Sequence, residues 1–428
     1  CKKMNAILKI LPFAMLLSAQ VFASDSTRVK KGKPKEENGG ITLPKGFKAL
    51  VVADNLGTVR HIVAQSNGDI YAKLDRVKNG KGILRLRDTN KDGVADEISG
   101  WGNYSGTGIT IKNGYLYASS NTDVYRYKLN EKGDVIDTGK AENIITALIN
   151  RRTHNTKSIV LDNDGNIYVN IGSPSNACQI TDRTVGSPAM DPCPLLDSTG
   201  GIWQFKADQT GQSYHNGVKY ATGIRNVVGL DWNQTTNQLY AMQHGRDMLN
   251  TLFPSMYNEE QSAELPAEEL LRISKGDNYG WPYCYYDQFQ QKKILAPEYG
   301  GDGKKQDRCA GMNKPIYAFP GHWAPNALLF YTGNQFPEKY KNGAFVAFHG
   351  SWNRAPRPQT GYFVVFLPMK DGMPSGDYEI FADGFAGEKI DPKNARFRPC
   401  GLAQGPDGSL FISDDKKGRI WKVTYSNN

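Results

Sequence analysis

The sequence predicts an all-β protein folded as a six-bladed β-propeller with long loop insertions. Its 428 residues include 45 glycines, 22 prolines and 22 tyrosines, a composition rich in turn formers and in residues that favour strands. A short turn-and-strand phrase recurs along the chain, and each copy is followed by a second predicted strand. Regular repetition of one β-unit is typical of a propeller.

The repeated phrase begins with a turn of Asn, Asp or Gly and continues with an aliphatic residue, an aromatic residue and small residues. It occurs at 66–74, 112–120, 163–171, 235–243, 340–348 and 406–414. The strands that follow it are predicted at 82–88, 123–129, 200–208, 269–275, 361–369 and 418–425. A pair of β-sandwich domains is the alternative, but six repeats in one constant order favour the propeller.

Three regions of the chain differ in composition. Residues 1–23 combine lysines with an apolar run and small residues, which predicts a secretory signal peptide. Residues 24–40 are polar and predict a disordered leader. Residues 41–428 then form a single propeller domain. We therefore expect a periplasmic or secreted protein with no stable membrane span.

Export permits disulfide bonds, and five cysteines follow the predicted signal peptide. Pairing Cys178 with Cys193 and Cys284 with Cys309 would close one long loop in each case. Cys400 is left over and is expected to be a buried thiol. Because the sequence has no CxxC spacing, metal binding by cysteine is not expected.

The formal net charge is +9, and the basic residues are scattered along the chain. This pattern argues against nucleic acid as a partner. Several arginines, however, stand beside predicted strand edges, where the loops of a propeller converge on one mouth of the channel. They are Arg225, Arg354, Arg396 and Arg398. Such a group of guanidinium side chains would suit a ligand with several carboxylates or phosphates, although any one arginine alone is more often a surface group.

Four motifs carry a family resemblance. They are "GIRNVVGL" (223–230), "GDNYGWP" (276–282), "FHGSWNR" (348–354) with a following "GY", and "RPCGLAQGPDGSLFISDD" (398–415). In this order they resemble the soluble quinoprotein sugar dehydrogenases, which include sorbosone, aldose and pyranose dehydrogenases that use pyrroloquinoline quinone (PQQ). The resemblance covers about residues 42–427 and implies a six-bladed propeller.

The resemblance also implies roles for individual residues. His154 corresponds to the catalytic base, and Arg225 to the residue that stabilises the oxyanion at the quinone carbonyl. Further positions implied to bind PQQ are Asn226, His322, Arg354, Arg396 and Arg398, and Arg60 is expected to face the same mouth. Gly245 and Arg246 match a turn whose backbone carbonyls bind Ca²⁺.

One position departs from the glucose branch of this family. An acid lies nineteen residues after the base in soluble glucose dehydrogenases, whereas Ser173 occupies that position here. We therefore expect His154 to be oriented by another group, with Lys157, Ser158 and Asn176 as the candidates.

A second calcium signal lies at 87–99. The possible ligands of a structural Ca²⁺ alternate around Gly93 and are Asp88, Asn90, Asp92 and Asp96. The bidentate glutamate of a complete calcium loop is absent, because Ser99 stands at the twelfth position. The other interpretation is an Asp/Asn/Gly-rich turn that links two blades.

The expected function is a PQQ- and Ca²⁺-dependent dehydrogenase that oxidises an aldose, sorbosone or a pyranose. Its electrons would pass to an external acceptor, a cytochrome or a quinone. The alternatives are a propeller lactonase or hydrolase that uses no quinone, and a non-catalytic propeller that binds glycans or proteins.

Overall fold

Six antiparallel sheets arranged as the blades of a propeller make up the protein in its computed structural model. The model describes residues 36–426, together with the backbone of a two-residue strand, Thr27–Arg28. The predicted fold class is therefore confirmed, and the β-sandwich alternative is wrong.

Each blade has four main strands, counted from the first to the fourth in the order in which they pair. The strands of blade 1 are Val59–Ala64, Ile70–Lys78, Lys81–Arg87 and Glu97–Trp101. Those of blade 2 are Ile109–Lys112, Tyr115–Ser119, Val124–Lys128 and Glu142–Thr146. Those of blade 3 are Ile159–Leu161, Asn166–Ile171, Gly201–Lys206 and Val218–Thr222. The strands of blade 4 are Val227–Asn233, Gln238–Gln243, Glu268–Ile273 and Tyr317–Phe319. Those of blade 5 are Pro325–Phe330, Ala344–His349, Tyr362–Leu367 and Glu379–Ala382. Those of blade 6 are Pro399–Gln404, Leu410–Asp414, Ile420–Tyr425 and Phe47–Ala53.

The repeated sequence phrase forms the second strand of every blade, and the strand predicted after it forms the third. The phrase recurs because successive side chains of a strand point to opposite faces. Ile167 packs against blade 2 with Tyr117 and Val124, whereas Tyr168 packs against blade 4 with Trp232. The aliphatic and aromatic positions therefore fill two different interfaces between blades.

The ring is closed by the two ends of the chain. Phe47–Ala53, from the N-terminal region, pairs antiparallel with Ile420–Tyr425 as the outermost strand of blade 6. Phe47 lies opposite Tyr425 and contacts Phe336 and Phe381 of neighbouring segments with ring centroids 4.8 Å and 5.0 Å away. No sequence pattern predicted this closure.

The predicted disordered leader, 24–40, is wrong at its C-terminal end. Glu37–Gly40 forms a short 3-10 helix, and the Trp421 indole N–H donates to the Gly39 carbonyl oxygen at 3.2 Å. Asn38 accepts the Ala49 amide at 2.9 Å, so this segment is tied to blade 6. Thr27–Arg28 also pairs with the fourth strand of blade 1. The predicted signal peptide, 1–23, lies outside the described residues.

Long insertions in blades 3 and 4 build up one side of the molecule. Those in blade 4 contain the helices Leu249–Leu252 and Glu259–Glu264 and the hairpin Cys284–Asp287 with Lys292–Leu295. The same insertions contain the short 3-10 helices Pro194–Asp197, Pro297–Tyr299 and Asp307–Gly311. The other short 3-10 helices and two-residue strands are Gln212–Ser213, Tyr214–Asn216, Glu338–Tyr340, Met369–Lys370 and Met373–Pro374. In the described part of the chain, no helix is long and apolar enough to cross a membrane.

Both predicted disulfides are present and fasten these insertions. Cys178 is bonded to Cys193, and Cys284 is bonded to Cys309. Cys400 is a free, buried cysteine. Burial raises the pKa of its thiol to about 12, so it stays protonated at neutral pH and is a poor nucleophile.

Candidate active site

The polar residues selected from the sequence gather at one mouth of the propeller. In an antiparallel sheet the start of the first strand and the end of the second strand lie at the same edge. His154, Arg225 and His322 precede the first strands of blades 3, 4 and 5, and the turn at Gly245 follows the second strand of blade 4. They share one pocket, whose empty volume, counted with the space at its opening, is about 500 Å³.

The orientation of His154 is set by a backbone carbonyl. Its Nδ1 lies 2.6 Å from the carbonyl oxygen of Ser173. A carbonyl oxygen can only accept, so Nδ1 carries the proton and Nε2 keeps its lone pair. The expectation that Lys157, Ser158 or Asn176 orients this ring is wrong. Ser173, at the position of the missing acid, does so through its main chain.

His154 is neutral in this environment. Burial, reinforced by the nearby Arg225 guanidinium, lowers its pKa to about 3. Its backbone has φ +52°, in the left-handed region. Gly172 makes this conformation possible, because a Cβ there would lie 2.7 Å from the His154 Cβ and 2.5 Å from Asn226 Oδ1.

A buried carboxylate, Asp247, organises the cationic wall of the pocket. Its Oδ2 accepts from Arg225 and from Arg183, both at 2.8 Å. Its Oδ1 accepts from the Asn353 amide at 2.9 Å and lies 3.7 Å from His322 Nδ1. Although burial alone would raise the pKa of Asp247, Arg225, His322 and Arg183 hold it well below its usual range.

Arg225 is held rigidly beneath the pocket opening. Besides Asp247, its guanidinium donates to the Gly245 carbonyl oxygen at 2.8 Å and to Asn176 Oδ1 at 3.1 Å. Its Nε is buried and has no hydrogen-bond partner among the residues that the structure describes. Asn226, the next residue, is buried behind Gly172, and its Oδ1 accepts from Asn170 at 3.3 Å. Arg225 is therefore a pocket residue, and Asn226 supports the pocket from below.

Two more titratable groups complete the pocket. His322 Nε2 lies 2.8 Å from the Ser262 carbonyl oxygen. Burial lowers the pKa of His322, but Asp247 and Glu268 outweigh burial and leave it above its ordinary value. Burial raises the pKa of Glu268 to about 7, and its Oε2 accepts the Gly245 amide at 3.0 Å.

Arg60 and Arg398 lie in a second polar cluster at the same mouth, formed by blades 1, 5 and 6. Arg60 NH1 and His349 Nε2 bind the two oxygens of Asp415 at 2.8 Å and 2.7 Å. Arg398 donates from Nε to the His349 carbonyl oxygen at 2.8 Å and from NH2 to that of Gly350 at 2.7 Å. This cluster adjoins the pocket, because the His349 amide donates to the carbonyl oxygen of Ala324, which lines the pocket, at 2.8 Å.

Two of the arginines predicted to bind the cofactor point elsewhere. Arg354 is buried and donates to the carbonyl oxygens of Ala263 and Gly321 at 2.6 Å and 2.8 Å, because the end of helix Glu259–Glu264 leaves acceptors there. Arg396 pairs with Glu36 at 2.6 Å, because the ordered end of the leader brings a carboxylate to it. Neither side chain contributes to the pocket.

The loop predicted as a structural calcium site holds its acids to its own backbone. Asp96 Oδ2 accepts the amides of Thr89 and Asn90 at 3.0 Å and 3.2 Å, and Asp88 accepts those of Asp92 and Gly93. Across residues 36–426, no three His, Cys, Asp or Glu side chains converge as a metal site. These contacts fit the polar-turn alternative, but the turn joins the third and fourth strands of blade 1 and does not link two blades. The calcium interpretation of 88–96 stays a prediction.

The turn at Gly245 and Arg246 is also occupied by protein groups. The Gly245 carbonyl oxygen accepts from Arg225 at 2.8 Å, and the Arg246 side chain forms an ion pair with buried Glu298. A cation bound at this carbonyl would face the Arg225 guanidinium at close range. In this arrangement the Gly245 carbonyl oxygen could bind a Ca²⁺ ion only if Arg225 moved away from it.

Several pocket residues were missed from the sequence. They are Arg183, His244, Asp247, Glu268, Trp352 and Asn353. Three of these lay inside motifs already singled out: Asp247 directly follows Gly245 and Arg246, and Trp352 and Asn353 precede Arg354 in "FHGSWNR". Arg183 carried no local signal, because only the loop closed by Cys178 and Cys193 brings it to Asp247.

The arrangement can support proton removal beside a stabilised negative charge. A neutral histidine with a free Nε2 faces the same cavity as two guanidinium groups that share one carboxylate. This donor set suits an anionic, planar ligand, because guanidinium groups form paired hydrogen bonds to carboxylates and carbonyl oxygens.

Comparison with known proteins places this architecture. Residues 41–426 match the family model described as TrAA12-like. A PQQ-dependent sugar dehydrogenase of Hypocrea jecorina is 24% identical over 98% of this chain and 98% of its own. The fold also resembles the calcium structure of a Trichoderma reesei Carbohydrate-Active Enzymes Family AA12 protein, with a TM-score of 0.73, 20% identity and coverage of 94% and 99%. The holo pyranose dehydrogenase PQQ domain of Coprinopsis cinerea gives a TM-score of 0.71 at 20% identity, with coverage of 90% and 97%.

Proposed function

Because the chain belongs to the TrAA12-like family, we propose that it is a PQQ-dependent dehydrogenase that oxidises a hydroxyl group of a sugar. The observation that carries the proposal is the pairing of His154 and Arg225 in one pocket. A lactonase or hydrolase with a channel metal would need carboxylates and asparagines free to bind it, whereas Asp247 is engaged by Arg225 and Arg183 in this pocket.

The residues of the pocket fit PQQ, which is planar, carries three carboxylates and has a quinone carbonyl. Arg225 and Arg183, whose guanidinium groups line the pocket, would bind its negative oxygens. When bound, PQQ accepts the hydride that leaves the sugar carbon. The protein supplies orientation and charge.

His154 acts as the general base in this proposal. Its Nε2 takes the hydroxyl proton as the carbon–oxygen double bond forms, and Nδ1–H remains bonded to the Ser173 carbonyl oxygen. The Ser173 carbonyl also stabilises the imidazolium that results. Arg225, fixed by Asp247 and Asn176, offsets the negative charge that develops opposite the base.

Calcium is a separate part of the proposal and rests on the resemblance alone. A Ca²⁺ ion on the Gly245 carbonyl oxygen requires Arg225 to leave that oxygen. Titration of PQQ into chelator-treated protein, with and without added Ca²⁺, measures whether the ion contributes to binding. Equal PQQ affinity in both conditions would remove Ca²⁺ from the proposal.

Export and an external electron acceptor complete the proposal. The predicted signal peptide supports a periplasmic or secreted enzyme, and mass spectrometry of the mature N-terminus tests it. A cytochrome or quinone would reoxidise the cofactor, so an artificial dye can replace the acceptor in assays.

The decisive experiment is dye-linked oxidation of aldoses, pyranoses and sorbosone by purified protein, with and without PQQ. Activity that requires PQQ and disappears in His154→Ala, while PQQ still binds, is the expected result. If PQQ does not bind the wild-type protein, the proposal is wrong.

A further inference from the structure

One tryptophan differs from the others in its exposure. Five of the remaining six are buried, whereas the side chain of Trp352 is 58% exposed. It lies on the loop 350–361 and lines the pocket that contains His154 and Arg225. Large exposed aromatic side chains in a binding pocket mark contact surfaces, because leaving them in water is unfavourable.

The exposure of Trp352 does not come from a loosely held loop. Its neighbour Ser351 donates its amide to the Thr360 carbonyl oxygen at 2.9 Å and its hydroxyl to Gln359 at 2.7 Å. The Tyr362 hydroxyl donates to the Ser351 carbonyl oxygen at 2.6 Å. Arg398 fixes the preceding carbonyl groups of His349 and Gly350. These hydrogen bonds therefore fix the backbone that carries the indole at the pocket.

Asn353 adds an unused acceptor beside this indole. Its amide nitrogen donates to Asp247 Oδ1 at 2.9 Å, which leaves the amide oxygen turned away from that carboxylate. The Asn353 Oδ1 is buried and has no hydrogen-bond partner among the described residues. A buried acceptor without a partner is unfavourable, so a ligand that donates a hydrogen bond to it is stabilised.

We propose that Trp352 and Asn353 form the sugar subsite, in which a pyranose ring stacks on the indole and one of its hydroxyls donates to Asn353 Oδ1. This inference rests on the proposed function. A pyranose has a face of C–H groups, which suits the electron-rich face of an indole, and a rim of hydroxyl donors. An anionic cofactor is instead drawn to Arg183 and Arg225 on the wall around Asp247. The charged cofactor and the neutral sugar would therefore bind different groups of the pocket.

The test compares Trp352→Ala and Trp352→Phe with Phe289→Ala. Phe289 is 68% exposed on the 284–295 hairpin and does not line the pocket, so its variant controls for the loss of an exposed ring. For each PQQ-loaded protein, dye-linked oxidation of glucose gives KM and kcat. Calorimetry of PQQ binding to the apo-protein gives the cofactor affinity.

We expect Trp352→Ala to raise the KM for glucose about tenfold, with kcat and PQQ affinity nearly unchanged. Trp352→Phe should recover most of the loss, and Phe289→Ala should behave as wild type. A loss of PQQ affinity in Trp352→Ala would assign the ring to the cofactor and overturn the inference. Unchanged KM would also overturn it.

A second readout separates this inference from the proposed function. Saturation-transfer NMR measures glucose binding to the apo-protein without any turnover. If the wild type binds glucose and Trp352→Ala does not, the sugar subsite stands even when no PQQ-dependent oxidation is found. If oxidation occurs but neither KM nor the NMR signal depends on Trp352, the proposed function stands and the subsite assignment fails.

Discussion

Two clusters at the same mouth of the propeller use the same chemistry in different ways. Each has an aspartate, buried at Asp247 and partly buried at Asp415, whose pKa is held below its usual range by arginine and histidine partners although desolvation would raise it. Asp415 binds Arg60 and His349, and the nearby Arg398 is bonded to backbone carbonyls. Asp247 binds Arg225 and Arg183, but its cluster also borders an open cavity.

The difference lies in the insertions and not in the blades. Around Asp247, the long loop of blade 3 and the loop 350–361 supply Arg183, Trp352 and Asn353, in addition to Glu268 at the start of the third strand of blade 4. Around Asp415, short connections pack the same types of side chain against each other. A carboxylate with guanidinium partners therefore only stabilises the fold, unless the neighbouring loops leave room for a ligand beside it. Matched substitutions in the two clusters test this contrast.

The largest effect is expected for His154→Ala. Removal of a general base costs about 10²–10⁴-fold in rate, so kcat should fall by this amount while the fold and PQQ affinity are kept. His349→Ala is the matched change in the other cluster and should leave kcat much closer to wild type. Comparable losses in the two variants would contradict the assignment of His154 as the base.

Asp247→Asn and Asp415→Asn compare the two carboxylates directly. Each leaves a buried arginine without its ion pair, and loss of one partner of a buried pair costs about 3–5 kcal/mol in the free energy of unfolding. Urea denaturation should show a loss in both variants. Only Asp247→Asn should also weaken PQQ binding, because Asp247 holds the guanidinium groups of Arg225 and Arg183 in position. Weaker PQQ binding in Asp415→Asn would bring Arg60 into the cofactor site.

Gly172→Ala tests the support beneath His154. A Cβ at this position would meet Asn226 Oδ1 at 2.5 Å and the His154 Cβ at 2.7 Å, so the base must shift. Overpacking should cost about 1–3 kcal/mol in stability, and displacement of the base by about 1 Å should lower kcat by up to about 10²-fold. Gly311→Ala is the control, since an added Cβ meets nothing within 4 Å there. Wild-type kcat in Gly172→Ala would contradict this packing argument.

The smallest effect is expected in the dependence of activity on pH. Since burial and Arg225 lower the pKa of His154 to about 3, the neutral base persists in acid. Glu268 lines the same pocket and burial raises its pKa to about 7, so the profile is measured in Glu268→Gln. In that variant kcat/KM should stay nearly constant from about pH 8 to about pH 5, where an ordinary histidine would be titrated. A fall centred near pH 6.5 in Glu268→Gln would show that His154 is solvated or is not the base.

The lowered pKa of His154 also predicts how the free energy of unfolding depends on pH. The unfolded chain binds a proton at His154 below its ordinary pKa of 6.5, whereas the folded chain does not until about 3. The unfolded state therefore holds more protons in this range, and the contribution of His154 to stability falls as the pH drops below 6.5. Urea denaturation of His154→Ala should show a weaker decline than wild type between about pH 6.5 and pH 5.

Much of the architecture and part of the site followed from local sequence. The repeated phrase located the second strand of every blade, because burial between two neighbours demands apolar residues at successive positions. The disulfide pairs followed from loop closure. His154 and Arg225 were found through motifs beside strand edges. Arg354 and Arg396 stood in equally good motifs. However, the side chain of Arg354 donates to a carbonyl oxygen of the helix at 259–264, and that of Arg396 pairs with Glu36.

The sequence by itself determined the six blades, the two disulfides and the family motifs, because each depends on residues near one another or on a periodic pattern. Only the tertiary structure decided which side chains face the cavity. Asp247 joins Arg183, 64 positions away, and Asn353, 106 positions away. The Ser173 carbonyl, which no side-chain motif encodes, orients the base. Contacts made by backbone atoms and by distant loops leave no local pattern, so three-dimensional packing alone selects them.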